Sequence, residues 1–272
     1  MEASLAIHTA ARRYCLERYA CWAERYAEIV RHGRDRGHDR YHYTSEALAT
    51  FPRYNVLNAI RVELERIDAG ELSDFEAVKS QVLRAGETAN DEFTLKPIGA
   101  IDQRATEEER AAFCSYVARL SPADLYGVEP LPFRRVLAAD ESESLWSRLR
   151  KRWGIGAGCW YPLGECTLPG VEAFDASAFD KAAPPECLRG ILSDRRIERV
   201  WELREFGPEY ELAVALFDPH YDGAEGYWSS GEMDWIVYAS HERSVTVGGW
   251  LLKEVMSLWP AWQAHLWRGD RT

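Results

Sequence analysis

The placement of tryptophan constrains this chain most: ten of its eleven Trp lie at or beyond Trp146, and seven fall between Trp201 and Trp267. An indole left in water exposes a large apolar surface, so this distribution puts the main core in the C-terminal half. The spacing around those tryptophans says how that half folds. Ile197, Arg199, Trp201 and Leu203 recur every second residue, as do Tyr210, Leu212, Val214 and Leu216 beyond a Gly207-Pro208 turn, which is the period of a β-strand. A third strand is expected from Met233 to Ser240, a tight reversal from His241 to Arg243, and a return strand from Ser244 to Val247. From Trp250 the period becomes helical, with Leu252, Val255 and Trp259 on one face and Pro260 as a break. Four antiparallel strands, or five if Cys159 to Leu163 is extended, covered by a C-terminal helix, make an α+β layer.

The N-terminal half reads as mainly helical. Cys15, Tyr19, Trp22, Tyr26 and Ile29 share one face of a long first helix, and such an aromatic stripe is expected to be core. A second helix follows Pro52, carrying Val56, Ile60, Leu64 and Ile67, with Gly70 as its stop. Ser73 to Glu76 has the spacing of a capping box that opens a third helix ending at Gly86, and Thr106 to Glu109 repeats it before Phe113. Two Pro and one Gly between Gly127 and Phe133 mark the best boundary, giving a helical region over 1–126 and an α+β domain over 127–272, unless the two are continuous. The glycines from Gly154 to Gly158 follow a helix and precede a strand, the reverse of a dinucleotide fingerprint, and read as a hinge.

The net charge of -11 argues against a general grip on nucleic acid or anionic lipid and permits a basic partner. Residues 1–43 run the other way, and Arg31 to Tyr43 gathers Arg and His that suit a phosphate or an acidic face, or simply a solvated loop. No cationic flank followed by an apolar run opens the chain, no apolar stretch is long enough to span a bilayer, and six Cys are scattered without a pairing pattern. These features suggest a cytoplasmic protein with free thiols.

Three groups of residues carry candidate chemistry. Asp218, His220 and Asp222 alternate along an extended segment, so their side chains could converge on a divalent metal ion, although Asp, Pro and Gly together also make an ordinary turn. His241 and Glu242 stand side by side at a reversal, where an imidazole and a carboxylate could do general acid and base work. Tyr227, Trp228 and Trp235 bracket Glu232 and Asp234 in what reads as one long loop from Asp218 to Glu232. Aromatics beside acids suit a surface that binds a protein partner, while the same rings could instead fill the core. With no catalytic signature, the leading expectation is a protein-binding, regulatory or inhibitory protein of the kind that neutralises a toxin, needing no cofactor. The alternative is a metal-assisted hydrolase using Asp218, His220 and Asp222.

Overall fold

The computed structural model describes residues 2–35, 43–68, 74–96, 98–156 and 159–269. Most of the Arg31 to Tyr43 segment, the stop at Gly70, the cap at Ser73 and the last of the hinge glycines lie outside the described residues. The chain forms two compact units, Met1–Leu131 and Pro132–Thr272.

Among the described residues the first unit holds four α-helices: α1 (Ala3–Asp35), α2 (Ser45–Leu64), α3 (Phe75–Thr88) and α4 (Ala100–Arg119). Caps set their starts, since Thr44 accepts from Ala47 N at 3.1 Å and Asp74 from Ala77 N at 3.2 Å, each satisfying an amide with no partner inside the helix. Ile7, Val56, Leu57, Ile60, Val78, Val82, Phe113 and Val117 form the core. Three expected boundaries are wrong for identifiable reasons. α2 does not begin after Pro52, which lies inside it, because Thr44 has already capped it. Gly86 does not end α3 but is where it meets α4: a Cβ there would lie 2.6 Å from Phe113 Cδ1, so only glycine lets the ring in. Thr106 to Glu109 is not a helix start, because Asp102 has already capped α4 from the Gly99 amide at 2.7 Å. Glu109 is instead fully buried, accepting from Arg18 at 2.5 and 2.9 Å and from the Trp22 indole at 3.0 Å.

The second unit is a seven-stranded antiparallel sheet with helices on its faces. Its elements are β1 (Arg134–Val136), α5 (Ala139–Trp153), β2 (Val171–Asp175), α6 (Ala176–Ala182), α7 (Pro185–Asp194), β3 (Arg199–Arg204), β4 (Tyr210–Ala213), β5 (Gly226–Ser229), β6 (Trp235–Ala239), β7 (Ser244–Gly249) and α8 (Trp250–Leu258). The strand order is β1-β4-β3-β5-β6-β7-β2. The α+β architecture and the covering C-terminal helix match the sequence reading, but the strands number seven rather than four or five. β1, β2 and β5 are the additions, and Cys159 to Leu163 is not a strand. Val214 leaves β4 for a 3-10 turn, Val214–Leu216, that delivers Phe217 edge-on to Trp235 at 5.8 Å between centroids.

Both faces of the sheet are covered, which explains why β6 is buried at every position. On one face Leu145, Leu149 and Trp153 of α5, with Trp160, pack on Leu203, Tyr227, Ile236 and Tyr238. On the other, Phe174 of β2 stacks against Phe179 at 5.9 Å and Trp259 at 5.4 Å, while Leu251, Leu252 and Val255 of α8 are buried. Burying each such side chain contributes roughly 1.5–3 kcal/mol, so this pair of layers holds the unit together. After α8 the chain turns back, and Trp267 N donates to Ala173 O at 2.8 Å alongside β2. A β-bridge joins Leu266 to Phe174 at the same place.

Candidate functional site

The sheet delivers its polar side chains to two opposite ends, and the richer end is the one where β6 turns into β7. Ser240 N donates to Ser244 O at 3.0 Å and Arg243 takes a left-handed φ of 55°, so the reversal is tight and projects His241 and Glu242 outward. The register that pairs Gly226 with Ala239 sets the preceding residue, Glu225, beside that turn. There the Glu225 side chain, 3 % exposed, accepts from the Tyr238 hydroxyl and lies 2.6 Å from His241 Nδ1. Tyr238 in turn stacks on Tyr227, ring centroids 4.5 Å apart.

These contacts shift the proton affinities of the group. The hydrogen bond to Glu225 raises the His241 pKa above its ordinary value, with the charges of Glu225, Glu242 and Glu205 adding to it. Burial, followed by the Glu225 carboxylate, pushes the Tyr238 phenol up, and burial does the same to Tyr227. His241 Nε2 also lies 3.3 Å from Glu242 Oε1, so both ring nitrogens face carboxylates. Both carboxylates favour the protonated imidazole, and the turn holds His241 and Glu242 side by side as the sequence suggests.

The other predicted ligands are not brought together. Asp222 is taken by Arg204, 3.1 Å from Nη1, and although burial works to raise its pKa, the bonds and charge of Arg204 outweigh burial and lower it. Arg204 is shared with Glu202 at 2.8 Å. His220 Nδ1 instead lies 3.2 Å from Asp218 Oδ1. Among the described residues no three His, Cys, Asp or Glu side chains are placed to hold a metal ion, so the convergence of Asp218, His220 and Asp222 is corrected.

The proposed aromatic partner surface is corrected as well, because the stretch from Asp218 to Glu232 is not a single loop. Gly226–Ser229 is β5, a strand buried throughout, with Tyr227 and Trp228 inside the fold. Trp228 folds back over Gly226, where a Cβ would meet its ring at 2.3 Å. Trp235 is fully buried and its indole donates to Ser230 Oγ at 2.8 Å. Glu232 and Asp234 are exposed, but in the β5–β6 turn, at the far end of the sheet from His241.

A second set of carboxylates lies at the same end of the sheet. Asp175 ends β2 opposite Ser244, and Asp180 of α6 lies close to Asp218. The Asp180 pKa is raised, first by burial and further by Asp218 and Asp175, with His220 acting against them. Tyr221 reaches the same end, 6.5 Å from the His241 ring. Glu225 is the residue that sequence reasoning missed. A lone Glu before Gly has no local signature, and only the pairing of Tyr227 with Tyr238 reveals its place.

Comparison of the chain with protein families, with characterised proteins and with solved structures gives no match in any of the three.

Proposed function

We propose that this is a cytoplasmic binding protein that regulates or inhibits a basic protein partner by occupying it, as toxin-neutralising proteins do, and that the partner seats on the acidic end of the sheet in the C-terminal unit. The observation that carries this reading is the gathering of Asp175, at the end of β2, with Asp180 and Asp218, two like charges acting on Asp180 against the single counter-charge of His220. Like charges held together by a folded scaffold cost stability when the protein is alone, and an approaching cationic surface removes that cost. Glu242 and Asp218, both on exposed turns, extend the same field toward a partner. The anchored Glu225 keeps the hairpin that presents them in one position.

A paired capture experiment tests the reading. Wild-type protein and the variant Asp180→Asn/Asp218→Asn/Glu242→Gln serve as baits, and each retained protein is purified and titrated back by calorimetry. A basic protein that binds wild type, is released at about 0.5 M salt and is lost by the variant supports the proposal. Identical captured sets for the two baits refute it.

A further inference from the structure

Beside the acidic end, the C-terminal unit holds a cleft of ≈ 310 Å³, the size of a small-molecule site, for which neither the partner reading nor the rest of the fold has a use. Trp146 and Arg150 of α5, Ile155, Tyr227 of β5 and the β3–β4 turn from Arg204 to Glu209 line it. Its aromatic wall is held rigidly. Glu209 accepts from the Trp146 indole, from the Ser142 hydroxyl and, at 3.3 Å, from Arg204 N, which ties α5 to the turn. Trp146 meets Tyr227 edge-on at 5.1 Å, and Tyr227 is locked by Tyr238 behind it. Across from this wall, Gly207 with a φ of 96° bends the turn so that Phe206 stands 59 % exposed at the rim.

The charges in the cleft sort themselves by elimination. Arg204 is neutralised by Glu202 and Asp222, and both oxygens of Glu209 accept hydrogen bonds. That leaves Arg150 and Glu205. Arg150 lies over the Trp146 ring at 4.8 Å, and among the described residues neither its guanidinium nor the Glu205 carboxylate has an ion-pair partner. Glu209 keeps its charge but its oxygens are occupied by the indole and the hydroxyl, so one cation and one anion with free hydrogen-bonding capacity, Arg150 and Glu205, stand above an aromatic wall, a recognition pattern for a zwitterion with a flat apolar group. The guanidinium matches a carboxylate in a bidentate fork, the carboxylate matches an ammonium, and the rings accept an aromatic side chain.

We infer that this cleft binds a free α-amino acid with an aromatic side chain, its carboxylate on Arg150, its ammonium on Glu205 and its ring against Trp146 and Phe206. The inference stands apart from the partner proposal, since it uses none of Asp180, Asp218 or Glu242.

Calorimetry on the full chain tests it with L-phenylalanine, phenethylamine, which lacks the carboxylate, and 3-phenylpropionate, which lacks the ammonium. L-phenylalanine is expected to bind with a Kd of about 10 µM to 1 mM, and each analogue about tenfold more weakly. Arg150→Gln should abolish the preference over phenethylamine, and Glu205→Gln the preference over 3-phenylpropionate. Both side chains are exposed, so neither change disturbs the core. The Asp180→Asn/Asp218→Asn/Glu242→Gln variant should bind L-phenylalanine as wild type does, which separates this site from the acidic end. No heat from L-phenylalanine, L-tyrosine or L-tryptophan up to about 10 mM overturns the inference. So does equal binding of the amino acid and its two analogues, because the two charges would then recognise nothing.

Discussion

Replacing Tyr238 by Phe removes one oxygen atom and tests the buried carboxylate at the heart of the acidic end. The ring keeps its packing, stacked on Tyr227 at 4.5 Å and edge-on to Trp160 at 6.2 Å, so no cavity larger than that atom opens. What is lost is one donor to Glu225, whose side chain is 3 % exposed and, among the described residues, has His241 as its charged partner. Hydrogen bonds to charged groups contribute about 1.5–3 kcal/mol. In a unit of this size that corresponds to a fall in Tm of roughly 3–12 °C. Ten of the eleven Trp lie in the C-terminal unit, so near-ultraviolet circular dichroism reports its unfolding almost alone. The double variant Glu225→Gln/Tyr238→Phe should lose less than the sum of the two single changes, with a coupling of about 1 kcal/mol or more, because each partner matters only while the other is present. A Tyr238→Phe protein that melts within about 1 °C of wild type, or strict additivity in the cycle, would refute the argument.

Further outcomes follow from the same geometry. By NMR, the His241 ring should titrate above its ordinary 6.5 and return toward it in Glu225→Gln; because the folded pKa is the raised one, the stabilisation is complete below about 6.5 and fades as pH climbs through the folded value. The effect on stability is small, because the imidazole is more than half exposed and its charge is screened. Gly86→Ala should cost about 1–3 kcal/mol in the N-terminal unit by overpacking Phe113, measured by far-ultraviolet denaturant melts. Gly190→Ala, inside α7 with open space around it, should stabilise by about 0.5–1 kcal/mol in the same assay. All six thiols should alkylate in denaturant without reductant; in the native protein exposed Cys21 should react first and Cys15 last, since burial blocks access and raises the Cys15 pKa.

The parts of this fold that could be read from the residues are those whose two faces differ or whose turns are local. The β6–β7 hairpin and the β3–β4 pair announce themselves through short reversals at His241–Arg243 and Gly207-Pro208, and α8 through the spacing of Leu252 and Val255. β5 escaped because it is covered on both faces, so Tyr227 and Trp228 are both buried and no alternation marks the strand. β2 escaped because its only strand partner, β7, is some seventy residues away, and nothing near Val171 signals that pairing. The candidate site divides the same way. His241 and Glu242 are visible as a local display, whereas Glu225 and Tyr238 join them only through inter-strand register, and the cleft charges Arg150 and Glu205 meet only through the packing of α5 on the β3–β4 turn.

The return of the C-terminal segment along β2 protects the protein against itself. β2 is the last strand of the sheet, and an uncovered last strand is a template on which another molecule can add its own. The Leu266 bridge to Phe174 and the Trp267 amide on Ala173 take up part of that ladder, and the Trp267 indole, bonded to Glu242 O at 3.0 Å, pins the segment to the hairpin. Anything that peels residues 266–269 away, whether a protease, a fusion joined too tightly or a charge placed at Leu266, therefore converts a closed edge into a polymerisation surface.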